Sequence, residues 1–289
     1  MVNGIFVIDK PEGMTSHDVV ARMRRILQEK RVGHGGTLDP MTTGVLPVFA
    51  GRSTRATGFV QEGSKLYAAR MRLGITTDTQ DTTGKTLEMR PVSCGRAEIA
   101  AVLPRFTGEI EQIPPMYSAV SVGGVRLYKL ARQGVEVERA PRRVTVDSLT
   151  LGETAGEQEY ELLVECSKGL YVRTLIADIG EALGCGAAMS GLRRLRAGGF
   201  SIEHAITLDR AAELAEAGRL AEVCLCADVL FTALPELRLT ARGEEKVRHG
   251  AAWRTSLPDG EYRLYGADGT FLGPGAVEDG QVRIRKSFY

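Results

Sequence analysis

Apolar and polar positions alternate along this chain with two different periods, and the switches between them mark out its elements. Gly4-Ile5-Phe6-Val7-Ile8 is a continuous apolar run that predicts a short buried strand, closed by the turn Asp9-Lys10-Pro11-Glu12-Gly13. From Ser16, read as an N-cap, Val19, Val20, Met23, Ile26 and Leu27 recur at helical spacing, with Arg22, Arg24, Arg25 and Lys30 mostly on other faces. A glycine-rich stretch then leads into the apolar run Val45–Ala50, a core strand, and a short helix is predicted near Thr54–Val60. Lys65–Leu73 reads as a strand ending in the polar run Thr76–Gly84, a loop, and residues 96–104 as a helix.

Ile113-Pro114-Pro115 breaks the pattern. A Gly-Gly hairpin turn sits within Val120–Val125, and the basic amphipathic segment Arg126–Arg132 follows it. Residues 114–140 therefore read as an insertion able to pack loosely and move. Arg143–Leu151 and Glu159–Cys166 alternate like paired strands, whereas Tyr171–Leu183 and Leu208–Ala217 are helical and stop at Gly184 and Gly218. After Pro235 the composition changes. Thr240–His249 predicts a short polar helix, and Tyr262–Tyr265, Thr270–Gly273 and Val282–Arg285 short strands with Gly-rich turns. A β-rich module of about 50 residues is marginal alone and is expected to pack against the main body. Helices and strands are mixed without strict βαβ alternation, which predicts an α+β body over residues 1–234 and a small C-terminal domain over 235–289.

The 289 residues and 43% apolar content are ample for a core of this size. The five cysteines are few, odd in number and mostly inside apolar runs, which points to a reducing compartment rather than a disulfide framework. Cys224-x-Cys226 lacks a second Cys/His pair at zinc spacing and reads as two small core residues. No apolar run reaches the ~20 residues that span a bilayer, and the N-terminus lacks a signal-peptide pattern, so a soluble cytoplasmic protein is expected. The net charge is only +1, but its distribution is uneven. Residues 1–60 carry 8 Lys/Arg against 5 Asp/Glu, residues 115–145 carry 6 against 2, and residues 166–200 carry 5 against 2. Residues 146–165 and 201–235 are acidic, at 0 against 6 and 2 against 6. Basic segments that converge in space would form a footprint for a polyanion; basic and acidic segments that pair on the surface would not.

Two short stretches carry candidate chemistry. In Gly33-His34-Gly35-Gly36-Thr37-Leu38-Asp39-Pro40, three glycines allow a tight loop that presents one aspartate and one histidine at the entry to a core strand. A plain surface turn has the same composition. The loop matches neither GxxxxGK[ST] nor a helix-opening GxGxxG, and no second histidine stands at metal-ligand spacing. In Ser167-Lys168-Gly169-Leu170-Tyr171-Val172-Arg173-Thr174, a Gly turn delivers Tyr171 and Arg173 to a helix start. The helix dipole disfavours an arginine there, so either a carboxylate partner compensates, with Asp39 a candidate, or Arg173 is solvated.

Taken together, these segments resemble the TruB family of tRNA pseudouridine synthases. Gly4–Gly13 followed by Met14-Thr15-Ser16 is similar to the family's opening motif, Gly33–Pro40 to its catalytic loop, and Lys65-Leu66-Tyr67 to its tyrosine strand. Arg72-Leu73-Gly74 through Asp78 and Asp81, Ile113–Ala119, Lys168–Thr174 and Gly191-Leu192-Arg193-Arg194-Leu195 come in the family's order, so the resemblance covers roughly residues 4–210. Met41-Thr42-Thr43-Gly44 departs from it, because the family usually has an alanine before Thr-Gly. The C-terminal module resembles a PUA-like RNA-binding domain.

The resemblance implies a mixed or antiparallel-sheet catalytic domain that converts the T-loop uridine 55 of tRNA to pseudouridine, with the base flipped out, detached from C1′ and rejoined through C5. It implies no metal, nucleotide or redox cofactor. Asp39 carries over as the essential carboxylate, which attacks C1′, attacks the ring or abstracts a sugar proton. Arg173 carries over as its ion-pair partner and Tyr67 as the residue that stacks on the target base. Tyr171 and Leu192 correspond to pocket walls, His34 to the residue filling the gap left by flipped nucleotides, and Lys10 and Pro11 to a buttress of the loop. The insertion would close over the RNA, with Arg126, Lys129, Arg132, Arg142 and Arg143 as phosphate contacts. A monomer acting on the tRNA T-stem-loop, with no membrane partner, is expected. The competing readings are a non-catalytic tRNA-binding or folding-assistance protein and a related synthase directed by a guide RNA; the intact Asp39, Tyr67 and Arg173 favour an enzyme, and the insertion favours stand-alone action.

Overall fold

The computed structural model describes residues 2–118 and 120–289; Met1 and Ala119, the last residue of the Ile113–Ala119 motif, lie outside the described residues. The main body is built on one mixed, nine-stranded sheet. Its order runs Gly4–Lys10, Thr43–Ala50, Ala187–Ala197, Lys65–Leu73, Glu159–Cys166, Arg142–Gly156 and Gly108–Gln112, with Val32–His34 added on Thr43–Ala50 and Phe200–Ser201 on Ala187–Ala197. All these pairings are antiparallel except that between Ala187–Ala197 and Thr43–Ala50, where Arg193 and Arg194 lie opposite Thr43 and Gly44. The α+β arrangement expected from the sequence is therefore realised.

Long strands form where apolar side chains bury on a sheet face, and helices cover the faces. Helix Ser16–Leu27 buries Val19, Val20, Met23 and Leu27 against Phe6, Ile8, Leu46 and Val48, together with Leu208 and Ala211 of helix Leu208–Glu216. Its N-cap is Thr15 rather than Ser16. Thr15 and Asp18 form a reciprocal capping box, because the Ser16 side chain is turned inward onto Leu38. Helix Val172–Ala182 buries Leu175, Ile176 and Ile179 against Met71, Leu73, Val164 and Met189. The polar run 76–84 is more ordered than a plain loop. Ile75–Thr77 pairs with Thr86–Met89, and Asp81 is buried at the turn between them.

The sequence pattern did not reveal strand Ala187–Ala197, which lies at the middle of the sheet. Ser190, Arg193, Arg194 and Arg196 break its apolar alternation, and Arg194 is fully enclosed. Beyond it, residues 236–284 form a separate five-stranded sheet with its own core of Leu237, Val247, Leu264, Leu272 and Val282. Phe271 and Phe288 from this region join Phe231, Phe49 and Ile5 in a shared cluster, so the small sheet is packed onto the main body as its size requires.

Candidate active site

The loop Gly35–Thr42 is fixed by hydrogen bonds from four different elements. Gly35 N–H donates to the Pro47 carbonyl at 2.9 Å and Arg194 Nη2 to the Gly36 carbonyl at 3.1 Å. The inward-facing Ser16 hydroxyl grips both backbone groups of Leu38, accepting from its N–H at 2.8 Å and donating to its carbonyl at 3.1 Å. The Pro40 carbonyl receives Gly13 N–H at 2.8 Å and Lys10 Nζ at 3.2 Å. Two glycines are required by the path. Gly36 has φ 142°, and Gly44, at φ 100°, lies so close to the adjacent parallel strand that a Cβ would meet the Arg194 carbonyl oxygen at 2.2 Å. The braced loop holds Asp39 with its side chain half-open to solvent at the edge of a cavity.

Arg173 meets Asp39 from the first turn of helix Val172–Ala182, with Nη2 2.9 Å from Oδ2. The same guanidinium stands 3.6 Å from the Asp81 carboxylate and donates to the carbonyls of Thr79 at 3.0 Å and Tyr117 at 2.8 Å. One planar fork thus ties the Gly loop, the polar turn and the base of the insertion together. Arg173 and Asp81 side chains are each only 7% exposed, whereas Asp39 is 43% exposed. A buried cation of this kind is tolerated because its charge is paired and its N–H groups are bonded. Asp81 is satisfied in turn by Thr83 N–H at 3.0 Å and by the hydroxyls of Thr79 and Thr83. The helix start is set by Gln112, whose side-chain amide donates to the Tyr171 carbonyl and accepts from the Tyr171 N–H.

Asp39, Tyr67, Tyr171, Arg173 and Leu192 all line one open cavity of about 680 Å³, and Arg142, Arg143 and Lys168 stand on its wall. Tyr67 projects from strand Lys65–Leu73 between Val164 and Arg194 of its neighbours. Burial raises its phenol pKa above the ordinary value, with Arg194 pulling the other way. Arg194 also donates Nε to the Val45 carbonyl at 2.8 Å, so a single enclosed arginine links the tyrosine strand to the Gly loop. The cavity is basic on its wall, carries a carboxylate on its floor and offers flat aromatic surface beside it. That combination can accept a planar ring attached to a phosphate backbone while placing an oxygen nucleophile or base against it.

Other residues singled out in the sequence lie around this cavity rather than in it. Lys10 is fully enclosed, with Nζ donating to the Pro11, Met14 and Pro40 carbonyls, and burial lowers its pKa to about 8 against the opposing pull of Asp39. His34 accepts from Gly36 N–H through Nδ1 and packs edge-on to His17 at 6.0 Å between ring centroids. Burial, with the positive neighbours His17 and Arg194, lowers its pKa. Arg126, Lys129 and Arg132 stand on the insertion, exposed, and do not line the cavity. Arg132 lies over the Tyr128 ring at 5.6 Å.

Sequence reasoning missed Ser16 as a loop clamp, Gln112 as the helix lock, and Arg194 as the link behind Tyr67. Only Arg194 left a signal, a second arginine inside Leu192-Arg193-Arg194-Leu195, where one of two adjacent strand positions must point inward. Among the described residues no group of three His, Cys, Asp or Glu is placed to hold a metal ion, and no helix is long and apolar enough to cross a membrane.

Comparison with known proteins bears on the same residues. The sequence profile of the TruB family pseudouridylate synthase N-terminal domain matches residues 24–172, and that of the tRNA pseudouridylate synthase B C-terminal domain matches residues 173–231. A tRNA pseudouridine synthase B of Geobacter sulfurreducens is 48% identical over 255 residues, covering 86% of this chain and 82% of that protein. Another, of Dechloromonas aromatica, is 42% identical over 277 residues, covering 95% and 91%. Among solved structures, a Cbf5-Nop10-Gar1 complex aligns with TM-score 0.73 at 29% identity, over 99% of this chain and 85% of that one. An H/ACA RNP bound to a substrate RNA containing 2′-deoxyuridine aligns with TM-score 0.72 at 26% identity, over 99% and 85%. The braced aspartate, its arginine partner and the tyrosine beside them thus sit in a chain that belongs to the TruB family of pseudouridylate synthases.

Proposed function

We propose that this protein isomerises uridine 55 in the T-loop of tRNA to pseudouridine. The observation that carries the reading is the Asp39–Arg173 ion pair of 2.9 Å at a cavity also lined by Tyr67, Tyr171 and Leu192. The family membership and the relatives named tRNA pseudouridine synthase B support the substrate class. The target nucleotide leaves the loop and its uracil stacks on Tyr67, with Tyr171 and Leu192 as walls; His34 occupies the gap left in the RNA. The C1′–N1 bond breaks, the base turns, and a C1′–C5 bond forms; the C5 hydrogen leaves as a proton and N1 takes one up, so composition is unchanged. Asp39 supplies the carboxylate on which cleavage depends, and Arg173 keeps it ionised and aimed. A planar ring face suits a base that must rotate, since fixed in-plane hydrogen bonds would resist the turn.

In this reading residues 1–234 form the catalytic domain and residues 235–289 a PUA-like RNA-binding domain. The insertion 114–140 closes over the T-stem-loop through Arg126, Lys129 and Arg132, and Lys10 supports the loop from below. The protein works as a cytoplasmic monomer without cofactor. The test is incubation with unmodified tRNA carrying tritium at uracil C5. Tritium release with pseudouridine mapped to position 55 is expected. Tight tRNA binding without release would favour the non-catalytic binding reading, and conversion at another position would overturn the T-loop assignment.

A further inference from the structure

Thr42 lies three residues beyond Asp39 on the same turn, which is closed by Thr42 N–H donating to the Asp39 carbonyl at 3.0 Å. It lines the active-site cavity, yet it is only 1% exposed. Its hydroxyl has no hydrogen-bond partner among the described residues. A buried hydroxyl left unpaired is costly, and most buried polar groups in folded proteins are satisfied. The surrounding loop spends hydrogen bonds on Gly35, Gly36, Leu38 and Pro40, so an idle hydroxyl at this point stands out.

We infer that Thr42 Oγ1 pairs with the ribose 2′-hydroxyl of the target nucleotide. The inference rests on the reading of Asp39 as the group that acts on that nucleotide. If the carboxylate of Asp39 reaches the glycosidic region, the sugar lies over the Asp39–Thr42 turn. The uracil lies across the cavity, against Tyr67 and Leu192 on the adjacent strands. The 2′-hydroxyl sits on the carbon next to C1′, and like threonine it both donates and accepts. It is also the group by which a protein tells RNA from DNA at a given nucleotide. Thr42 is closed over in the free protein, so pairing includes a small opening of this turn as the nucleotide enters. Thr42 is thereby a specificity residue, one that reads the sugar rather than the base.

The test is a binding cycle on the full-length protein carrying Asp39→Asn, so that the RNA stays unconverted during titration. Two T-stem-loop RNAs are compared, one with uridine and one with 2′-deoxyuridine at the target position, against Thr42, Thr42→Val and Thr42→Ser. With Thr42, the deoxy RNA is expected to bind about 3- to 10-fold more weakly, the range of one net hydrogen bond. Thr42→Val should bind the uridine RNA with that same loss and no longer distinguish the two RNAs, whereas Thr42→Ser should keep the discrimination. Thr42→Val should also raise the melting temperature of the free protein, because it removes an unpaired hydroxyl at constant shape, and this doubles as a folding control. Undiminished discrimination in Thr42→Val, or equal loss on both RNAs, would overturn the inference. Pseudouridine formation by the wild-type protein is scored separately. A protein that converts tRNA but shows a flat cycle refutes the role of Thr42 alone, and one that converts nothing refutes the functional reading.

Discussion

Arg173 and the basic residues of the insertion carry the same charge in opposite circumstances. Arg173 is 7% exposed, and two carboxylates and two carbonyls from three separate segments converge on it. The insertion, by contrast, is largely open. Its hairpin Ser121–Arg126 is exposed throughout, and Val122, Val125 and Val135 lie 40–45% exposed. Its main apolar anchor is Leu127, which is fully enclosed. In the first case positive charge is part of the architecture and sets the orientation of one aspartate. In the second it is screened, inexpensive to change for folding, and available to a polyanion at long range. The molecule thus separates the charge that orders its chemistry from the charge that gathers its ligand. Substitutions on the two sides should fail in different assays.

The largest effect should come from Asp39. Asp39→Asn keeps the size and leaves the loop bracing untouched, since that bracing runs through backbone groups and other side chains. Single-turnover pseudouridine formation should fall by more than about a thousandfold, because an amide is neither base nor nucleophile at neutral pH. RNA affinity should change little. Activity above about a tenth of wild type would remove Asp39 from the reaction.

Stability should respond in the reverse order. Asp39 is partly solvated, so Asp39→Asn should alter unfolding free energy by under about 1 kcal/mol. Arg173→Ala leaves Asp81 buried without its cation and frees the Thr79 and Tyr117 carbonyls. It should cost about 3–5 kcal/mol in urea denaturation. Arg173→Lys keeps the charge but not the planar fork, and should fall between the two. Equal stability of Arg173→Ala and wild type would show that the observed ion pairs do not hold these segments together.

How far the chain could be read in advance follows the same division. Helices Ser16–Leu27, Val172–Ala182 and Leu208–Glu216 bury one apolar stripe each, and their periodicity announced them to within a residue or two. The Gly loop and the Tyr171–Arg173 turn were legible because their residue types have few structural uses. Strand Ala187–Ala197 was not, because its burial is accomplished with arginines, and the partners of Arg194 lie 149 and 158 residues away. Ser16 was read locally, as a cap, when its partner was Leu38, 22 residues on. Gln112 is an unremarkable polar residue until the fold sets it against Tyr171, 59 residues later. Apolar patterning records local burial; long-range polar contacts leave almost no trace in it.

Lys10 lies on the ordered side of the comparison, and its burial gives a pH signature. Its pKa falls from 10.5 in the unfolded chain to about 8 in the folded one. Below pH 8 both states hold the proton and the folded state bears the full desolvation of the cation. Between about pH 8 and 10.5 the unfolded chain keeps a proton that the folded chain has lost, so stability contributed by this group rises with pH, by about 3 kcal/mol at most. The difference in unfolding free energy between wild type and Lys10→Met, measured across that window, isolates the effect because other groups cancel. A difference that stays flat or declines would contradict the burial of this amine.

The smallest effect on folding should come from the insertion, where the functional effect is nonetheless clear. Reversal of Arg126, Lys129 and Arg132 to Glu changes three exposed side chains around a short helix, Leu127–Arg132. Unfolding free energy should move by no more than about 1 kcal/mol, as for other exposed charges, with the Arg132–Tyr128 stacking the main deficit. RNA affinity should drop about 10- to 100-fold near physiological salt. The plot of log affinity against log salt should flatten by about 0.7–0.9 for each phosphate that is no longer neutralised. On saturating RNA the single-turnover rate should fall less than affinity does, since these residues stand outside the cavity that Asp39 faces. A salt titration of both proteins alongside single-turnover rates checks all three expectations. Equal affinities and parallel slopes would mean that the insertion does not touch RNA, and that the basic excess of residues 115–145 is only a solvated surface. A rate that falls as far as affinity would instead place these charges within the chemistry, and the two kinds of positive charge would no longer be separate.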